Sequence, residues 1–201
     1  MLQYILTKSD RFAVGELAQM AVEGGCMWIS LCLPELSDEE LKAAVAPDVI
    51  EMCREAGVFL TLDDRPELAR ELGLHGVRLS RKFLNANPHQ GPMALREELG
   101  PEAVIGVETA DPSSVPQMLG ADIDFVTLPQ GFDSEQRRKF VKALTDLDVK
   151  MPVVAQGDFT PAEAQDAIKD GCNGVAVGRS ITDAEDPVTA TGAILFAISN
   201  L

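Results

Sequence analysis

Short apolar runs alternate along the chain with longer segments whose apolar positions recur at helical spacing, a pattern that predicts strands and helices in turn. Strands are predicted over 3–6, 27–33, 58–62, 76–79, 103–107, 123–127, 152–155 and 174–177. The helices between and after them are predicted over 12–23, 37–56, 67–72, 92–99, 111–119, 134–147, 161–169 and 187–199. Asp10 is placed to cap the first helix and Gly24-Gly25 to stop it. Ser37-Asp38-Glu39-Glu40 reads as a capping box opening the second, which Pro47 kinks or divides. The longest predicted loop, 80–91, follows the fourth strand and is rich in polar and turn residues.

Eight strands, each followed by a helix and with no composition shift to mark a linker, predict one domain over 1–201 with an α/β architecture, the (β/α)8 TIM barrel. A doubly wound open sheet uses similar units, but the first turn lacks the Gly-x-Gly-x-x-Gly fingerprint. At 201 residues and 46% hydrophobic, the chain has material for one sizeable core.

Charge narrows the partners. With 17 basic and 32 acidic residues the net charge is −15, which disfavours nucleic acid and anionic membrane surfaces. A phosphorylated small molecule stays compatible, because local donors outweigh a distant field screened over roughly 10 Å. A homo-oligomer is equally compatible. The opening MLQYILTKSD has neither a basic lead-in nor a long apolar stretch, and no run reaches the ~20 residues of a membrane span, so a cytoplasmic protein is expected. Cys26, Cys32, Cys53 and Cys172 are too dispersed for a paired zinc motif and are expected to remain thiols.

In a barrel of this class, reacting groups come from the C-terminal strand ends and the loops after them. The last two units carry the most specific signal: Gly157 after VVAQ, then Gly178-Arg179-Ser180 after GVAV. Glycines there let an anion approach the main chain, a short helix from about Gly178 aims N–H groups at it, and Arg179 and Ser180 add a charged fork and a hydroxyl. Asp63 and Asp64 end the third strand as paired carboxylates suited to magnesium, although Asp64 is also placed to cap the helix beginning at Pro66. Glu108 ends the fifth strand as a ligand, acid/base or structural carboxylate. Arg78 interrupts an apolar strand, so it requires an anionic partner: Asp63, Glu108 or a ligand phosphate. With Arg81 and Lys82 it forms a basic cluster that reads as a second anion site. Ser30 and Cys32 share a face of the second strand, and neither has a base. His75 reads as structural and His89 as an exposed loop residue.

The order of these motifs resembles the thiamine phosphate synthase and thiazole tautomerase superfamily. The match runs through GGCMWISLCL, REAGVFLTLDDRPELARELGLHGVRLS, VIGVETADP and PVVAQGDFTPAEAQDAIKDGCNGVAVGRSI. The resemblance implies a barrel transferase of thiamine biosynthesis that joins a pyrimidine diphosphate to a thiazole phosphate with magnesium and no organic cofactor. It also implies that Asp64 stands in the magnesium-binding place. Where the family's second strand carries Gln-x-Arg-x-Lys, this chain has Ser30, Cys32 and Pro34. The fourth-strand His is Arg78, the positions after it are Arg81, Lys82 and Phe83, and the serine after the fifth strand is Glu108. The tautomerase's catalytic histidine has no counterpart near Thr109 or Ala110. A leaving diphosphate needs preorganised cations, each worth on the order of a hundredfold in rate. The expectation is therefore a divergent member that binds a phosphorylated small molecule, with Asp63, Glu108 and Arg78 as candidate catalytic groups. A non-catalytic phosphate-ligand sensor or scaffold, and a sugar-phosphate epimerase or isomerase with Asp63 or Glu108 as base, are the alternatives.

Overall fold

In the computed structural model, which describes residues 1–45 and 47–200, all eight predicted strands form, and each pairs in parallel with its sequence neighbour. The elements are β1 (Leu2–Leu6), α1 (Val14–Glu23), β2 (Trp28–Leu31), α2 (Asp38–Val45), α3 (Asp48–Glu55), β3 (Phe59–Asp63), α4 (Pro66–Glu71), β4 (Gly76–Leu79), α5 (Arg81–Ala86) and α6 (Pro92–Leu99). They continue with β5 (Val104–Glu108), a short 3-10 turn (Pro112–Ser114), α7 (Val115–Leu119), β6 (Phe125–Leu128), α8 (Ser134–Asp146), β7 (Val153–Gly157), α9 (Pro161–Lys169), β8 (Gly174–Val177), α10 (Arg179–Thr182) and α11 (Pro187–Ser199). β8 closes on β1 with Leu2 opposite Val175 and Tyr4 opposite Val177. The architecture is the (β/α)8 TIM barrel.

Period-two alternation divides each strand between two cores. Tyr4, Ile29, Leu60, Val77, Ile105, Val126 and Val175 point outward and are buried in the large cluster beneath the helices. Ile5, Trp28, Phe125, Val154 and Ala176 point inward and fill the barrel. The Trp28 ring meets Phe125 edge-on, with centroids 5.0 Å apart. Phe125 can lie across β5 because position 106 is glycine: a Cβ there would stand 2.1 Å from the ring. Each fully buried large apolar side chain contributes roughly 1.5–3 kcal/mol relative to exposure. Two inward polar residues, Gln3 and Thr127, are fully buried with no side-chain hydrogen-bond partner among the described residues.

Several element ends differ from the sequence reading for local chemical reasons. The first helix starts at Val14, not residue 12, and is closed by Glu16 reaching back to the Ala13 N–H at 2.8 Å rather than by Asp10. The helix predicted over 37–56 is two helices, because proline at 47 cannot donate to the helical ladder; Ala46 itself lies outside the described residues. The capping box at Ser37 and Glu40 forms as predicted. The stretch 80–91 is not all loop: the Ser80 hydroxyl accepts from Phe83 N at 3.1 Å and opens α5. No helix among the described residues is long and apolar enough to cross a membrane.

Candidate functional site

The C-terminal ends of the third, fourth, fifth, seventh and eighth strands, which carry Asp63, Arg78, Glu108, Gly157 and, next in the chain, Gly178, lie at one mouth. Its centre is a polar chain through the barrel. Trp28 Nε1 donates to Thr61 Oγ1 at 3.1 Å, Thr61 donates to Ser30 Oγ at 3.0 Å, and Ser30 donates to Asp63 Oδ1 at 2.6 Å. Arg78 Nε donates to both Asp63 oxygens at 3.1 Å, and Nη2 donates to Oδ2. Nη1 donates to Gln156 Oε1 at 2.6 Å. The anion that Arg78 requires is thus Asp63, its register neighbour on β3. Burial opposes the Arg78 charge, but the Asp63 carboxylate outweighs it and holds the guanidinium above its ordinary value. Both members are about one-tenth exposed, so the pair enters the mouth as a neutral unit.

The other candidates are distributed around this pair. Asp64, in the left-handed region at φ 56°, caps nothing at Pro66; its two oxygens accept from the Ser80 N–H at 2.7 Å and the Ser80 hydroxyl at 2.6 Å. Arg65 takes the cap position of α4 instead and extends to the Leu33, Pro34 and Leu36 carbonyls and Asp38, pinning the loop after β2. Glu108 is half-buried and makes no side-chain hydrogen bond or ion pair among the described residues, close enough for its charge to be felt at Arg78. Arg81 and Lys82 are exposed on the first turn of α5, outside the buried setting of Arg78. Burial, followed by the Asp63 carboxylate, pushes the Cys32 thiol up to about 12, which removes it as a nucleophile near neutrality. His75 is structural: its Nδ1 accepts from Leu60 N at 3.0 Å at the opposite end of the barrel.

Beside the ion pair, a cavity of about 390 Å³ opens between Ile5, Thr7, Cys32, Gln156, Gly157, Gly178 and Arg179. Gly157, Gly178 and Arg179 are thereby brought together, with Ser180 half-buried on the next position of α10. One feature of this mouth was not read from the sequence. Asp158 Oδ1 accepts from the Arg179 N–H at 2.8 Å, and Gln130 Nε2 donates to Asp158 Oδ2 at 3.2 Å. A carboxylate therefore already engages one of the amides that an anion would use. Gln156, also missed, is traceable in hindsight, because Val154 faces inward and period two turns Gln156 the same way.

For a divalent cation the donor set is thin. Asp63 has both oxygens bonded to Arg78, and no group of three or more His, Cys, Asp or Glu among the described residues is arranged to hold a metal ion. Of Asp63 and Asp64, the latter is the carboxylate that no cation among the described residues pairs with.

A family model described as thiamine monophosphate synthase matches residues 3–181. The thiamine-phosphate synthase of Bacteroides thetaiotaomicron is 32% identical, with 96% of this chain and 95% of that protein covered. That of Haloquadratum walsbyi is 30% identical, covering 95% and 88%. A solved thiamine phosphate pyrophosphorylase from Pyrococcus furiosus superposes with a TM-score of 0.83 over 98% of this chain and 95% of its own, at 22% identity, a likeness of fold.

Proposed function

The chain belongs to the thiamine monophosphate synthase family of thiamine biosynthesis, and from that premise we propose that it binds a phosphorylated small molecule at the β7 and β8 ends without the preorganised cations that diphosphate displacement needs. The cavity between Gly157, Gly178 and Arg179 carries the ligand half of this reading, since two glycine-bearing turns and the exposed residue Arg179 line a space of small-molecule size. The other half rests on where the positive charge goes. Ser30 and Cys32 bring none, Arg78 is neutralised by Asp63, and Arg65 is committed to carbonyls and Asp38. Arg179 is the cation left lining that cavity. Magnesium, if the ligand carries it in, would find one carboxylate, Asp64, and take its other ligands from water and phosphate. The acidic surface supports a small-molecule ligand over nucleic acid or a lipid surface.

Calorimetric titration with thiazole phosphate and thiamine phosphate, with and without magnesium, tests the first half; absence of binding overturns it. Pyrophosphate release and rescue of a thiamine-requiring mutant test the second. Slow or no release is expected, and full rescue that Asp64→Ala abolishes overturns it. Binding with no turnover of any kind identifies a sensor. Glu108 favours one further reading, because it is an uncommitted half-buried carboxylate at the mouth. Proton exchange on a sugar phosphate, lost in Glu108→Gln, would establish an epimerase or isomerase in place of the synthase lineage chemistry.

A further inference from the structure

Gln156 belongs to none of the motifs that suggested the site, yet its position is chemically determined. It is the next-to-last residue of β7, on the inward face and half-buried, and lines the cavity beside Cys32, Gly157 and Gly178. Its Oε1 accepts from Arg78 Nη1 at 2.6 Å. A guanidinium carries donors and no acceptor, so the amide can present only its oxygen to Arg78; the flipped amide would set N–H against N–H. The Nε2 group must then face the other way. It makes no hydrogen bond among the described residues, and it is not one of the fully buried polar atoms left without a partner, so it keeps accessible surface at a residue that lines this cavity and the adjoining one beside Phe132 and Asp133.

We propose that Gln156 is a specificity-determining residue that offers its Nε2 hydrogens to a hydrogen-bond acceptor of the bound ligand, and that Arg78 is a positioning residue acting through it. The inference rests on the proposed ligand reading and adds to it a defined contact. Arg78 is itself anchored twice by Asp63, which Ser30 and Thr61 brace in turn, so the amide is held by a chain of fixed bonds. Such preorganisation favours ligands with an acceptor at that point and penalises those presenting a donor, since one of two facing donors is left unpaired. Arg78 thereby serves recognition without meeting the ligand's charge.

The test follows the side-chain amide of Gln156 by NMR in isotopically labelled wild-type protein during titration with thiazole phosphate and, separately, inorganic phosphate. With thiazole phosphate, both Nε2 proton signals are expected to shift and to exchange more slowly with water. In Gln156→Glu, which keeps an oxygen for Arg78 but removes the donor, affinity is expected to fall about 10–100-fold, with the unfolding midpoint little changed. Binding that moves other resonances while the Gln156 signals stay still overturns this inference and leaves the ligand reading intact. Unchanged affinity in Gln156→Glu overturns it equally. If neither probe binds at all, the ligand reading fails and this inference falls with it.

Discussion

Replacing Asp158 should tighten phosphate binding. Its Oδ1 accepts from the Arg179 N–H at 2.8 Å and its Oδ2 is held by Gln130 at 3.2 Å, so a phosphate oxygen seeking that amide must first displace a carboxylate. A hydrogen bond to a charged group is worth about 1.5–3 kcal/mol, and the exposure of Asp158 places this one toward the lower end. The displaced carboxylate then remains near the incoming dianion, and their screened repulsion adds on the order of 1 kcal/mol. Together these set an expected gain of about 10–100-fold in affinity for thiazole phosphate in Asp158→Gly. Asp158→Asn should fall between, because its amide oxygen can still accept from Arg179 while the charge is gone. Isothermal titration at low and high ionic strength separates the contributions: the gain in Asp158→Asn should shrink in high salt, while the part unique to Asp158→Gly should persist. Affinity in Asp158→Gly equal to or below wild type would refute the reasoning, since the Arg179 amide would then not be where the phosphate goes.

Other consequences are open to direct measurement. Arg78→Leu strands the Asp63 charge in the barrel and should cost about 3–5 kcal/mol, lowering the melting temperature by roughly 6–20 °C, whereas Asp63→Leu combined with Arg78→Leu should recover most of the loss. Gln3→Met removes two buried polar atoms without partners and should raise stability by about 1–2 kcal/mol in urea titrations; an unchanged or lower midpoint would contradict this. The Thr160 backbone N–H, followed by the Thr160 hydroxyl, holds the Glu163 carboxyl below its ordinary 4.5. That contribution is therefore present above 4.5 and lost as pH falls through the depressed value, so acid melting curves of Glu163→Gln should decline less steeply than those of wild type.

The barrel was legible because each strand reads as a short apolar run between turn residues, and eight such runs at even spacing leave few other closures. Ends decided by a side chain reaching backward were harder. Glu16 closes α1 onto an alanine, which no cap preference announces, and Ser80 opens α5 within a stretch whose Asn, Pro and Gly content suggested irregular chain. The site was legible in its members but not in their pairing. Period two places Asp63, Arg78 and Glu108 on the inner face at one end; only the register, with Asp63 directly beside Arg78, decides which carboxylate the guanidinium takes. Asp158 and Gln156 flank the glycine that drew attention to the β7 end. Period two turns Gln156 inward, but the partners that define both roles, Arg78 for Gln156 and Arg179 for Asp158, are distant in sequence, so no local pattern reveals the pairings.

Trp28 is the only tryptophan of the chain, and its indole N–H begins a line of hydrogen bonds through Thr61 and Ser30 to the Asp63 carboxylate, which also accepts from Arg78, itself a donor to Gln156. The molecule thus carries a built-in optical probe at the far end of its recognition machinery. Excited selectively, this single fluorophore should emit in the blue-shifted range of a shielded indole, and its intensity should respond when a ligand settles against Gln156 some strands away.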